Sequence, residues 1–233
     1  MKWKLEQLYP GVYHLNFANR YDLCMHFLRY QEYYEGEEHR GKIFTIFDYM
    51  EWYAKSSSTH KTRKGKKTQV FTYPGDWSGF NVPSYVFEAL NPSTIPDGNR
   101  YDAFMRQIAL LAMGLEKTGR WYLIGTSSDL GSPSGLTTKD ILAHEIAHGF
   151  YYTNHQYRDA VQELYEKIPA GVRSKLQDWL LERTYCQEVV LDETHAYLAT
   201  GLPDKLKKDE ACKKARRPFI REFRRLKKAL DES

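Results

Sequence analysis

The stretch 120–151, "RWYLIGTSSDLGSPSGLTTKDILAHEIAHGFY", constrains the fold more than any other part of the chain. Its first residues form an apolar run bounded by Gly119 and by a Ser-, Gly- and Pro-rich loop, which predicts a strand within 120–128. Thr137 and Asp140 then stand at capping-box spacing, so a helix should begin near Thr138 and run through Tyr151. Strand, loop and capped helix each need a partner to bury their apolar faces. The expected class is α+β: mostly helices, with a small mixed sheet whose edge strand precedes this helix.

The flanking segments agree with that class. Tyr13, Leu15 and Phe17 alternate as in a short strand, and "YDLCMHFLRYQEYYE" (21–35) has the spacing of an amphipathic helix. Thr45 and Asp48 mark the start of a second helix. Residues 55–69 hold six Lys or Arg among Ser, Thr and Gly with no acid, which reads as a solvated loop. Residues 70–91 read as a strand, a Pro-Gly turn, and a glycine- and aromatic-rich connection into a short helix. Residues 100–117 read as a buried helix. Helices are expected over 157–168 and, as one run, over 172–199, ending at Gly201 and Pro203.

With 233 residues and 42% hydrophobic content, the chain can bury a core as one domain. Residues 1–204 are read as that domain, and 205–233 as a basic helical tail. The tail has twelve Lys or Arg against five Asp or Glu, a surplus of seven, so a whole-chain charge of +4 leaves residues 1–204 at minus three. The charged N-terminus with its Pro-Gly pair does not read as a secretory signal, and no segment reaches membrane-spanning length, so a cytoplasmic protein is expected. Cys24, Cys186 and Cys212 are odd in number and widely spaced, which fits reduced thiols. No glycine-rich phosphate loop, Ser-His-Asp set in context or nucleotide fingerprint appears.

His144-Glu145-x-x-His148 lies on the capped helix. Residues four apart share a helix face, so both imidazoles can reach one ion at about 2.0–2.1 Å. Glu145 projects beside them, placed to take a proton from a water activated by the metal. At this motif, together with the preceding "RWYLIG", the chain resembles the zincin metallopeptidases over about residues 100–200. The resemblance implies a Zn2+ ion as cofactor, a peptide or protein substrate, and residues 121–125 lining the cleft as a sheet edge for an extended chain.

A catalytic zinc keeps three protein ligands and one open position. The metzincin pattern fails here, because Tyr151 and Asn154 occupy its glycine and histidine positions. The gluzincin pattern takes a later glutamate, and two are available: Glu188 with Asp192, or Glu193 with Ala196. Glu193 is preferred because its helical neighbours Val189, Val190, Ala196 and Tyr197 place it in an apolar stripe, where a carboxylate needs a cation. Glu188, Asp192 and His195 remain alternatives for the third ligand, and Asp192 and His195 are also candidates to orient the ligand imidazoles. Tyr151, Tyr152, Tyr197 and His195 are all candidates to stabilise an oxyanion.

Two other readings fit the same residues. In one, a zincin-like protein without peptidase activity contacts nucleic acid through its basic tail, whose Phe219, Ile220, Phe223 and Leu226 also give it an apolar stripe. In the other, both histidines are simply core residues. Asp76, Trp77 and Asn81 in "GDWSGFNVPS" invite a substrate-loop reading, although turns explain the stretch equally well.

Overall fold

The computed structural model describes all residues except 1, 37, 57, 58, 62–66, 92, 117, 118, 130–136, 184 and 233. In chain order the elements are β1 (Trp3–Tyr9), β2 (Val12–Phe17), α1 (Arg20–Glu35), α2 (Ile46–Ser56), β3 (Thr59–Lys61), β4 (Lys67–Gln69), α3 (Tyr73–Asp76), β5 (Gly79–Pro83) and α4 (Ser84–Ala89). They continue with α5 (Arg100–Leu115), β6 (Tyr122–Ser127), α6 (Thr138–Thr153), α7 (His155–Glu166), α8 (Ala170–Leu181), a 3-10 turn (Gln187–Val189), α9 (Val190–Thr200) and α10 (Glu210–Asp231). The fold is α+β and mostly helical, as expected.

The main sheet is mixed, in the order β1-β2-β6-β5. β1 and β2 form an antiparallel hairpin, β2 runs parallel to β6, and β5 pairs antiparallel to β6 with Asn81 opposite Ile124. This corrects the sequence expectation in one respect. β6, the strand before the histidine helix, is interior and buried at every position, and the neighbouring edge is β5. A strand covered on both faces needs apolar residues throughout, so "YLIG" could not by itself distinguish an interior strand from an edge.

Side-chain alternation divides the core between the two faces of the sheet. Tyr13, Leu15, Phe17 and Leu123 pack with α1 and α5, whereas Val12, Tyr122 and Ile124 pack with α6, α7, α9 and α10. α1 approaches the sheet so closely that a Cβ at Gly125 would lie 2.5 Å from the Phe27 ring, and only glycine fits there. Arg29 on α1 is 1% exposed and pairs with Asp102 at 3.0 Å and Asp97 at 2.7 Å, tying α1 to the start of α5.

Several local expectations change. The segment 172–199 is not one helix: it breaks after Leu181 and resumes, through the 3-10 turn, at Val190. Within 55–69, the described residues Thr59–Lys61 and Lys67–Gln69 form a small antiparallel pair, and residues 57, 58 and 62–66 of that expected loop lie outside the described residues. The strand expected near residue 70 lies instead at Gly79–Pro83, within the stretch that also reads as turns. α5 is only half buried: Met105, Ile108 and Ala112 face the core while Leu110, Leu111, Met113 and Leu115 are exposed. α10 packs through Cys212, Phe219 and Phe223. Among the described residues, no helix is long and apolar enough to cross a membrane.

Candidate metal centre

α6 begins where its chemistry places it. The Thr137 side chain accepts from the Asp140 backbone N–H, and the Asp140 carboxylate accepts from the Thr137 N–H. Ile146, Ala147 and Phe150 seat the helix against the sheet. His144 and His148 then lie one turn apart with their rings edge to face and their Nε2 atoms 3.2 Å from each other.

α9 crosses this face and delivers the third group. Glu193 is 2% exposed and lies with Oε2 3.6 Å from His144 Nε2 and Oε1 3.5 Å from His148 Nε2. Donors bound tetrahedrally at about 2.0–2.2 Å are separated by about 3.3–3.6 Å. The two imidazole nitrogens stand near that spacing, and each faces a different oxygen of Glu193 at a similar distance, so the carboxylate spans both histidines. These three residues group as a possible metal site among the described residues. Glu193 Oε2 is buried without a hydrogen-bond partner, an arrangement that costs several kcal/mol unless a cation arrives.

Behind these three side chains stands Asp192. Its Oδ1 lies 3.0 Å from His148 Nδ1 and 3.1 Å from His195 Nδ1, both as electrostatic pairs. Burial opposes the protonation of His148, but Asp192 and Glu193 overcome it and raise this histidine well above its ordinary range. Burial likewise works against an ionised Asp192, yet His148 and His195 hold it below the usual carboxylate range. A proton on Nδ1, facing Asp192, leaves the Nε2 lone pair of His148 for an ion.

Glu145 points from α6 to the edge strand. Asn81 Nδ2 donates to Glu145 Oε2 at 2.8 Å, and the Tyr122 hydroxyl donates to Asn81 Oδ1. A Cβ at Gly79 would sit 2.6 Å from Glu145 Oε1, so glycine is what lets β5 approach this carboxylate. Burial raises the Glu145 pKa, opposed by His144, His148 and Asn81.

The other candidates separate clearly. Glu188 lies on the 3-10 turn, 63% exposed, and pairs with Arg40 at 2.5 Å, away from the histidines. His195 is fully buried behind the centre, stacked on Tyr151. Tyr152 packs beside Arg120 and Tyr122. Of the four oxyanion candidates, Tyr197 packs against His144 with ring centroids 4.6 Å apart, and His195 meets His148 edge-on at 6.0 Å. Asp76 and Trp77 do not join the centre; Asp76 accepts from Tyr53 and Thr72. Sequence reasoning missed the partnership of Asn81 with Glu145. The residue type and its glycine-rich setting were visible, but the strand pairing that aims it was not. No protein-family model, curated protein or solved structure matches this chain.

Proposed function

We propose that this chain is a zinc-dependent peptidase in which His144, His148 and Glu193 hold the ion and Glu145 moves the proton. The observation that carries this reading is the pair of imidazole nitrogens 3.2 Å apart, faced at 3.6 and 3.5 Å by the two oxygens of the buried Glu193 carboxylate, of which Oε2 has no hydrogen-bond partner. A zinc ion bound there would supply a Lewis acid and lower the pKa of a bound water toward 7.

The chain's own residues supply the rest. Glu145 is a carboxylate whose pKa burial has raised, which suits a group that first accepts a proton and then donates it to a leaving amine. Asn81 fixes one of its oxygens, and Asp192 orients His148. Burial, and then Glu193, raise the Tyr197 hydroxyl so that it stays protonated, and its ring packs against His144, which together suit a donor to a developing oxyanion.

Metal analysis tests the reading on protein purified without chelator or histidine tag. About one zinc per chain is expected in the wild type and in Glu188→Gln, and little in Glu193→Gln. Glu145→Gln should keep zinc and lose peptide hydrolysis. A wild type that takes up no zinc would refute the metal site, and hydrolysis by Glu145→Gln would refute the proton transfer.

A second surface favours polyanion contact. Lys214, Arg217, Arg221 and Arg224 lie three or four residues apart on α10, exposed and without an ion-pair partner among the described residues. They form one line about 15 Å long. The apolar side of this helix is buried against the body, which leaves charge as its means of contact. Nucleic-acid affinity that falls with salt, with a shallower slope in Arg217→Glu/Arg221→Glu, is the expected result; salt-independent binding would exclude it.

A further inference from the structure

α5 carries an apolar face that the fold leaves bare. On its inner side Met105, Ile108 and Ala112 are buried against the core, while Leu110, Leu111, Met113 and Leu115, all in its last two turns, are each more than half exposed. At about 100° per residue Leu110 heads this outer face, with Leu111 and Met113 on either side of it. A helix apolar on both sides needs cover on both. Gly114 stands one turn beyond Leu110, and a Cβ placed on it would meet nothing within 4 Å, so a second helix can come close at that point.

This face continues into a groove of about 350 Å³ between α5 and α4. Arg106, Leu110, Met113 and Glu116 line it in that order along α5, a span of about 15 Å, and Phe87 and Trp121 add aromatic rings to its lining. Its middle is apolar and its two ends on α5 bear opposite charges. Arg106 has no ion-pair partner among the described residues, although Glu88 lines the same groove. When two identical helices lie antiparallel, a residue before the centre meets one equally far after it. Arg106 and Glu116 stand five residues to either side of Leu111, so each end of the face meets its opposite charge on a second copy.

We infer that this face joins two copies of the chain in a twofold dimer, with α5 antiparallel to α5 of the partner. Leu110, Leu111 and Met113 are buried at its centre, and Arg106 of each copy faces the partner's Glu116. An unrelated helix would need the matching charges by coincidence, whereas a second copy carries them by symmetry. The inference is independent of the metal centre, whose helices α6 and α9 pack on the other face of the sheet.

The test is sedimentation equilibrium on the full chain, whose monomer mass is 27.4 kDa. Wild type should show twice that mass at micromolar concentrations. Leu110→Glu places like charges beside the twofold axis, and Arg106→Glu or Glu116→Arg sets like charges against each other at two contacts; each should weaken association by about tenfold or more. A mixture of Arg106→Glu with Glu116→Arg regains both opposite-charge contacts in a heterodimer. The doubled mass should therefore return on mixing, although neither variant shows it alone, and its return also proves that both variants are folded. A wild type that stays monomeric would overturn the inference and leave the face to a helix of another protein. A dimer that survives Leu110→Glu unchanged would overturn it by placing the contact elsewhere. Loss of the dimer in both charge variants without recovery on mixing would overturn the antiparallel pairing.

Discussion

Asp192→Asn offers the most informative single perturbation of the centre. Asp192 touches both His148 and His195, at 3.0 and 3.1 Å, and is not itself one of the three grouped ligands. Loss of a partner that orients a ligand imidazole typically weakens metal binding about 10- to 100-fold. At free zinc 100 times the dissociation constant, wild type should gain about 2.7 kcal/mol of stability. At the same zinc concentration the variant should gain only about 1.4 kcal/mol for a tenfold loss, or about 0.4 kcal/mol for a hundredfold loss. For a chain of this size each kcal/mol moves Tm by about 2–4 °C. Thermal melts with zinc and with chelator should therefore show a shift of about 5–11 °C in the wild type and about 1–6 °C in the variant. The zinc-dependent shift is the quantity to compare, because the substitution also changes the metal-free protein. Asp192 raises the pKa of His148, so at low pH zinc must displace a proton that the variant holds less firmly. The gap between wild type and variant should consequently be wider at pH 9 than at pH 6. A full zinc shift in Asp192→Asn at both pH values would refute this account of the residue.

Glu32 is buried facing the hydroxyls of Tyr73 and Tyr49, with its pKa raised by burial from 4.5 to about 7. The folded protein therefore keeps a proton that the unfolded chain releases, and this contribution, present below about pH 4.5, should be lost as pH rises to about 7, a fall of about 3 kcal/mol. Denaturant melts of Glu32→Gln should lack that fall. Arg29→Ala would strand Asp102 in the core and should cost about 3–5 kcal/mol of unfolding free energy; a change under about 1 kcal/mol would show that the pair is not desolvated. Gly79→Ala would put a methyl group 2.6 Å from both Glu145 Oε1 and Ile141 Cγ2, so it should reduce peptide turnover by about tenfold or more while zinc content stays near one per chain.

Much of this protein is local, and local physics is what a sequence carries. The capping box at Thr137 and Asp140 set the start of α6, the i, i+4 spacing put His144 and His148 on one face, and the apolar neighbours of Glu193 marked it for burial. Each of these depends on residues within two turns of one another, so no knowledge of the fold was needed. Contacts between distant segments obey no such rule. The apolar run of β6 is compatible with an edge or an interior strand, and only the pairing of β5 on its far side decided between them. The break after Leu181 exposed Glu188 and freed α9 to cross α6 at Glu193, a choice that helical periodicity across 172–199 concealed. Asn81 is 64 positions from Glu145 in the chain, and the two meet only because β5 joins the sheet against which α6 packs. Sequence determined which residues could bind an ion and on which helix face, because that is short-range geometry; the tertiary structure decided which carboxylates surround it, because burial and pairing are settled by the whole chain at once.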